Sequence, residues 1–302
     1  MELNCPICST SIASSKHVWK YDFSELLQCS HCGIIFHLRN DNLFLHQATS
    51  TYTKNSWGKH IDDDYDANMN SLEMRKHLER MKGNLQYFTK FVNSFKNRRV
   101  LDIGAGIGLL EFVAQEVDSS LQASQLVMLE PVLDNYHVLR SRFSNHTAVN
   151  CHLNQLENIE PSYDAIFCQG VDYLFENLNE AFKILHGLLK QEGFLLVSRN
   201  VFIDMPCYFG GETIKKAQDL FSPNSLINAY FLEEHYRQFL ELNFDIVDTL
   251  KYEEEYSGDD VSVGVHYNYV LQKKGLHYDE TRLKETKYLD EYNQKLDGLL
   301  ST

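Results

Sequence analysis

The chain has 302 residues, 43% of them hydrophobic, and carries 28 Lys and Arg against 42 Asp and Glu for a net charge of −14. That length and apolar content can bury a large core as one domain with an appendage or as two ordinary domains, while the acidity opposes a polyanionic partner such as nucleic acid. No stretch approaches the run of about 18 apolar residues that spans a bilayer, and the opening "MELNCPICST" lacks the basic-then-apolar layout of a secretory leader, so a cytoplasmic protein is expected.

The first organised unit is "CPIC", Cys5 and Cys8, with "CSHC", Cys29 and Cys32. Two residues separate the cysteines of each pair, so both thiolates of a pair reach one ion from a tight turn. The spacer is long enough to return the second pair to the first. This pattern predicts a closed, structural zinc ribbon with four cysteine ligands over residues 1–45. His17, His31 and His37 lie nearby, but four thiolates complete the shell and leave the histidines to surface or packing roles. Residues 1–45 hold three basic against four acidic side chains, which is no phosphate-binding surface. Seven cysteines, an odd number, do not make a disulfide framework, and Cys151, Cys168 and Cys207 read as small buried hydrophobes.

Residues 46–70 are polar and aperiodic and read as a linker or a loop laid over the next domain. From Ser71, Leu78, Met81, Leu85 and Phe88 recur at spacings of three and four, which predicts a helix. It leads into "RRVLDIGAGIGLLE", Arg98 to Glu111, where a short apolar strand runs into Gly104, Gly106 and Gly108 before a second helix. A P-loop would end in Gly-Lys-Ser/Thr, whereas Leu109 and Leu110 follow the last glycine here. The dinucleotide fingerprint needs glycine at position 109, which weakens a nicotinamide reading. Asp102, two residues before the first glycine, would repel a pyrophosphate and suit an ammonium group.

With that acid in place, the segment resembles the first motif of the class I S-adenosylmethionine-dependent methyltransferases. Later segments fit the same family in order. "QLVMLEP" is similar to the second strand, ending in Glu130, and the resemblance implies that this acid takes the ribose hydroxyls. "NQLENIEPSYDAIFCQGVDYL" looks like the adenine loop and fourth strand, with Asn154 or Gln155 at the adenine amine. "AFKILHGLLKQEGFLLVSR" resembles the next helix, a turn at Gly193 and the fifth strand. "NFDIVDTL" and "HYNYVLQKK" resemble the closing antiparallel pair. The resemblance covers roughly residues 75–273 and implies a Rossmann-like α/β fold with a seven-stranded sheet. It also implies a cofactor site made of Asp102, Gly104, Ala105, Gly106, Gly108, Glu130, Asn154, Gln155 and Gln169. An amide at the adenine position, where an acid is common, keeps an acceptor but removes its charge.

The ribbon followed by this domain resembles a bacterial methyltransferase group associated with polysaccharide and secondary-metabolite assembly, which implies a sugar, glycan or small-metabolite acceptor. Ribosomal RNA methyltransferases with an amino-terminal zinc ribbon supply a second resemblance, which the acidity opposes. A noncatalytic cofactor-binding scaffold is a third reading. By the same resemblance "QGVDYL" places Asp172 and Tyr173 near the methyl group, with Tyr173 where relatives often have histidine; His235 and His266 are alternative bases. The insertion at about 200–230 carries Phe202, Tyr208, Phe209 and Phe221 and is expected to cover the acceptor pocket. The domain runs over 71–274. In the tail, 275–302, Leu289, Tyr292, Leu296 and Leu299 share one stripe of a predicted helix that would dock on its own domain or form a homodimer.

Overall fold

The computed structural model describes residues 4–20, 24–39, 65, 69, 72–156, 162–199, 201–205, 207–209, 212–214, 229–256 and 262–281. The stripe at Leu289 to Leu299, most of the linker and much of the 200–230 insertion, Phe221 included, lie outside these residues. Among the described residues no helix is long and apolar enough to cross a membrane.

Three short strands come first: β1 (Lys16–Lys20), β2 (Ser24–Gln28) and β3 (Ile35–Arg39). Helix α1 (Leu72–Val92) follows, with Leu85 and Phe88 fully buried as their spacing predicts. It ends where Asn93 takes a left-handed conformation, φ 64°, which asparagine tolerates better than most residues. Then come β4 (Arg99–Ile103), α2 (Leu109–Val117), β5 (Gln125–Leu129), α3 (Leu133–Arg142), β6 (Thr147–Val149), β7 (Tyr163–Gln169) and α4 (Leu178–Leu188). The chain closes with β8 (Leu189–Arg199), β9 (Cys207–Phe209), β10 (Glu212–Ile214), β11 (Ala229–Tyr230), α5 (Glu233–Glu241), β12 (Phe244–Tyr256) and β13 (Ser262–Lys273).

The main sheet has seven strands in the order β12-β13-β8-β7-β4-β5-β6. Strands β4 to β8 are mutually parallel, and β13 is antiparallel to both β8 and β12. Strand order reverses between β4 and β7, and in open α/β sheets such a switch point opens a crevice at the carboxyl ends of the strands. Alternation along each strand splits the core into two layers. Val100, Met128 and Phe167 pack with α1 and α2 on one face, whereas Leu101, Ile103, Ile166 and Leu195 pack with α4 and α5 on the other.

Three boundaries differ from the sequence reading. Gly193 lies within β8, not in a separate turn: pairing with β7 skips from Leu189 to Phe194, and a Cβ on Gly193 would come 2.9 Å from the Tyr163 carbonyl. Tyr65 and Met69, in the stretch read as a linker or a covering loop, are helical, and they are buried against α1 and α2 as a covering segment would be. The ribbon is also no separate bead, because β11, from the expected insertion, pairs antiparallel with β3 and completes the sheet β1-β2-β3-β11. His37 and Tyr230 share a hydrogen bond of 2.9 Å across this pair, and the Asn179 N–H of α4 donates to the Pro6 carbonyl at 2.9 Å. Cysteines of the ribbon and leucines of α4 thus share one core.

Candidate functional site

The four cysteines converge as their spacing requires. Cys5 and Cys32 Sγ lie 3.7 Å apart and Cys8 and Cys29 Sγ 3.6 Å apart, with all four sulfurs within 4.8 Å of one another. Zinc–sulfur bonds of about 2.3 Å in a tetrahedron place neighbouring sulfurs about 3.8 Å apart, so the donor set fits zinc. Each pair sits in the same kind of turn. The Ser9 N–H donates to the Cys5 carbonyl at 3.0 Å and the Gly33 N–H to the Cys29 carbonyl at 2.9 Å, and Ser9 and Gly33 both have positive φ. All four thiols are buried, a closed arrangement with no place for a reacting molecule.

A second site lies at the switch point. Gly104, Gly106 and Gly108 all have positive φ, at 65°, 58° and 87°, between β4 and α2. Their surroundings differ. A Cβ on Gly104 would sit 2.6 Å from Val171 Cγ1 and one on Gly108 2.2 Å from the Phe143 ring, whereas one on Gly106 would meet nothing within 4 Å. The outer two glycines therefore serve close packing, and the middle one leaves space open. The Gly108 N–H closes the turn on the Ala105 carbonyl at 3.0 Å, and the Ala105 N–H donates to the Leu129 carbonyl of β5, also at 3.0 Å. From the former linker, the Tyr65 hydroxyl donates to the Ile107 carbonyl at 2.9 Å. The Arg142 guanidinium lies over the Tyr65 ring.

Two acids face this loop. Glu130, just after β5, accepts the Gly106 N–H at 2.7 Å and the Val132 N–H at 2.8 Å. Burial nonetheless pushes its carboxyl up to about 7. Asp102 is pushed up to about 8 by burial first, then by the negative Glu130 and Glu111. Among the described residues neither Asp102 nor Glu130 has a basic side chain in ion-pair distance. Glu111 of α2 is held by His146 at 3.0 Å. Buried carboxylates without a counter-ion are costly, and a cationic ligand relieves that cost.

Of the adenine candidates, Asn154 is exposed on a single helical turn, Leu153–Gln155, and Gln155 turns back so that its Oε1 accepts the His152 N–H at 2.7 Å. The structure thus leaves Asn154 as the one with a side chain not engaged by its own turn. Gln169, at the end of β7, hydrogen-bonds Asn84 of α1 at 2.7 Å.

The expected catalytic pair is placed otherwise than sequence suggests. Asp172 is fully buried, and its Oδ2 accepts from the Arg199 guanidinium and from the Tyr236 hydroxyl, the latter at 2.8 Å. In this arrangement the partners of that oxygen are protein groups, the charged one being the arginine at the end of β8. Arg199 also donates to the Val201 and Ala229 carbonyls, both at 3.0 Å, and lies 4.7 Å from the centre of the Tyr236 ring. Tyr173 packs into the core beside α4. Of the alternative bases, His235 is wholly buried, and His266 stacks on Tyr252 with ring centres 5.0 Å apart. Arg199, Tyr236, Asn84 and Tyr65 escaped the sequence reading. Only Arg199, a charge closing the apolar run "FLLVSR", left a local signal.

No protein-family model matches the chain, and no curated protein matches its sequence. Solved structures do match in fold. A Leishmania major protein named as an S-adenosylmethionine-dependent methyltransferase shares 16% identity and a TM-score of 0.53, over 76% of this chain and 83% of its own. The MccD protein shares 14% identity and a TM-score of 0.50, over 64% of this chain and 96% of its own. A Burkholderia thailandensis 1,6-didemethyltoxoflavin N1-methyltransferase, solved with bound 1,6-didemethyltoxoflavin and S-adenosylhomocysteine, shares 14% identity and a TM-score of 0.47 over 86% of this chain and 99% of its own. The strand order, the glycine loop at the switch point and the first two of these likenesses together show that the chain has the fold of the class I S-adenosylmethionine-dependent methyltransferases.

Proposed function

We propose that this protein is an S-adenosylmethionine-dependent methyltransferase acting on a sugar, a glycan end or a small metabolite, with structural zinc in its ribbon. One observation carries the reading. At the switch point of the sheet, an open glycine loop is flanked by two buried acids that have no cation among the described residues. S-adenosylmethionine is a cation with a ribose and an α-ammonium group, so it offers positive charge and hydroxyl donors where the site lacks them.

A bound sulfonium would supply an activated methyl carbon. The chain's contribution is alignment, which is most of what an in-line displacement needs. Asp102 would face the ammonium, Glu130 the ribose hydroxyls, and Gly106 the open floor of the cradle, with Ala105 in the same turn. Tyr65 and Asn150 support that floor, the latter donating to the Glu130 carbonyl at 2.8 Å. Asp172 acts as an anchor for the loop after β7, through Arg199. The ribbon is architectural in this reading. Its sheet is finished by β11 and its cysteines lie in the shared core, which supports a small acceptor over nucleic acid.

The test is isothermal titration of zinc-replete protein with S-adenosylmethionine, alongside Asp102→Ala. Micromolar binding by the wild type and its loss in the variant is the expected result. Absence of binding by the wild type at millimolar ligand overturns the proposal.

A further inference from the structure

Three side-chain amides form a directed chain on the α1 face of the sheet. Asn268 of β13 is fully buried and donates from Nδ2 to Asn84 Oδ1 at 2.7 Å. Asn84, 3% exposed, donates from Nδ2 to Gln169 Oε1 at 2.7 Å. Gln169 Nε2 then lies 3.2 Å from Met81 Sδ. A thioether accepts hydrogen bonds and cannot donate them, so Met81 selects the nitrogen of Gln169 and fixes the direction of the whole chain.

That direction matters because of where Gln169 stands. In the pairing of β4 with β7, Asp102 lies opposite Phe167, and Gln169 is two residues further along on the same face as Phe167. The carboxyl ends of two adjacent strands thus present, on one face, a carboxylate and an amide N–H donor. The first suits a cation and the second an anion, and the two together suit the zwitterionic head of an α-amino acid.

We propose that Asn84 and Asn268 are positioning residues that hold Gln169 with its Nε2 toward the cleft. Gln169 then donates to the α-carboxylate of the ligand while Asp102 faces the α-ammonium. The inference rests on the cofactor reading above and assigns roles to two asparagines that touch no ligand. Their effect is one of polarity. A glutamine amide can present its oxygen or its nitrogen with almost no change of shape, and Asn84, whose Oδ1 already accepts from Asn268, meets it with an N–H and so agrees with Met81 in removing that choice.

The experiment compares S-adenosylhomocysteine with 5′-methylthioadenosine, which keeps the adenosine and the sulfur but lacks the amino acid, by titration calorimetry at pH 8.5. In Asn84→Asp the new carboxylate only accepts, so it draws N–H groups from both neighbours and turns Gln169 Oε1 outward. Asn268→Asp does the same one link further away, and Gln169→Glu places a carboxylate oxygen at the cleft directly. Each variant is expected to lose about tenfold or more in S-adenosylhomocysteine affinity, with 5′-methylthioadenosine held within about threefold. Equal loss of both ligands reveals a merely structural role and overturns the inference, as does no loss of either. If one asparagine variant fails to fold, the other still separates these outcomes, and Gln169→Glu, at a half-buried position, tests the ligand contact they serve: unchanged S-adenosylhomocysteine affinity there overturns the inference by itself. A wild type that binds neither ligand sinks the methyltransferase reading itself, whereas wild-type binding with unaffected variants sinks only the positioning role.

Discussion

Two groups of buried charge stand at the carboxyl end of the same sheet and are treated in opposite ways. On the α4 and α5 face, Asp172 is met by Arg199, whose guanidinium also satisfies the Val201 and Ala229 carbonyls and lies against the rings of Phe202, Phe231 and Tyr236. On the α1 and α2 face, Asp102 and Glu130 are buried too, and no cation among the described residues meets them. A charge balanced within the fold holds elements together. One left unbalanced marks the place where something from outside is expected.

The balanced side extends into the ribbon, because Ala229, which Arg199 holds, belongs to the strand that pairs with β3. The largest effect should therefore come from the cysteine cluster and the zinc proposed for it. Cys29→Ser, or exhaustive chelation, should lower the melting temperature of the entire described fold by about 10 °C or more, in a single transition. Two separate transitions, with the α/β part unmoved, would show the ribbon to be independent and break the argument from the shared core.

Next in size is the ion pair itself. Arg199→Met leaves Asp172 buried without its partner and should cost about 3–5 kcal/mol in urea unfolding, since an uncompensated buried charge is worse than none. Adding Asp172→Leu should recover most of that loss. If the double variant is no better than the single one, the carbonyls and rings around Arg199, rather than its charge partner, account for its role.

On the unbalanced side the sign reverses. Asp102 has a folded pKa of about 8, above the ordinary value near 3.9, so the folded state holds a proton that the unfolded state gives up between those values. Stability from this group is complete below about pH 4, falls as pH rises, and reaches its floor above about pH 8. Asp102→Asn should match the wild type near pH 4 and exceed it by on the order of 2 kcal/mol or more at pH 9, while losing affinity for S-adenosylmethionine. The same shift predicts release of about one proton when the cationic ligand binds at pH 7, read as a dependence of the calorimetric heat on the buffer's ionisation enthalpy. Equal heats in phosphate and Tris would mean that Asp102 and Glu130 are already ionised.

The two sides also differ in how far the sequence announces them. The strand, glycine loop and helix over 99–117, the acid at Asp102 and the paired cysteines are local patterns, and each is found in the structure at the expected place. The ribbon's fourth strand is not local. His37 and Tyr230 are 193 positions apart, and β11 is two residues long, too short for any alternation to show. Tyr65 and Met69 lie in a polar stretch where large apolar residues are sparse, and their burial depends on α1 and α2 being there to receive them. Asp172 looked available because its partners, Arg199 and Tyr236, come from β8 and α5. Pairings between distant elements were the part that spacing could not disclose, and they decide which buried acid has a partner within the fold.

The smallest effect on stability should carry the sharpest functional consequence, and it lies within the loop. Gly106 and Gly108 both require positive φ, so alanine at either position should cost about 1 kcal/mol from the backbone alone. At Gly108 the added methyl also runs into the Phe143 ring, at 2.2 Å, and Phe143 must shift or the helix start must move. At Gly106 the methyl meets open space, so Gly106→Ala should lose only the backbone term, with its thermal unfolding close to that of the wild type. If that space is the cofactor's, the same methyl should abolish S-adenosylmethionine binding in a protein that is otherwise well folded. A Gly106→Ala variant that binds as the wild type does would place the ligand elsewhere and leave the loop's open side unexplained.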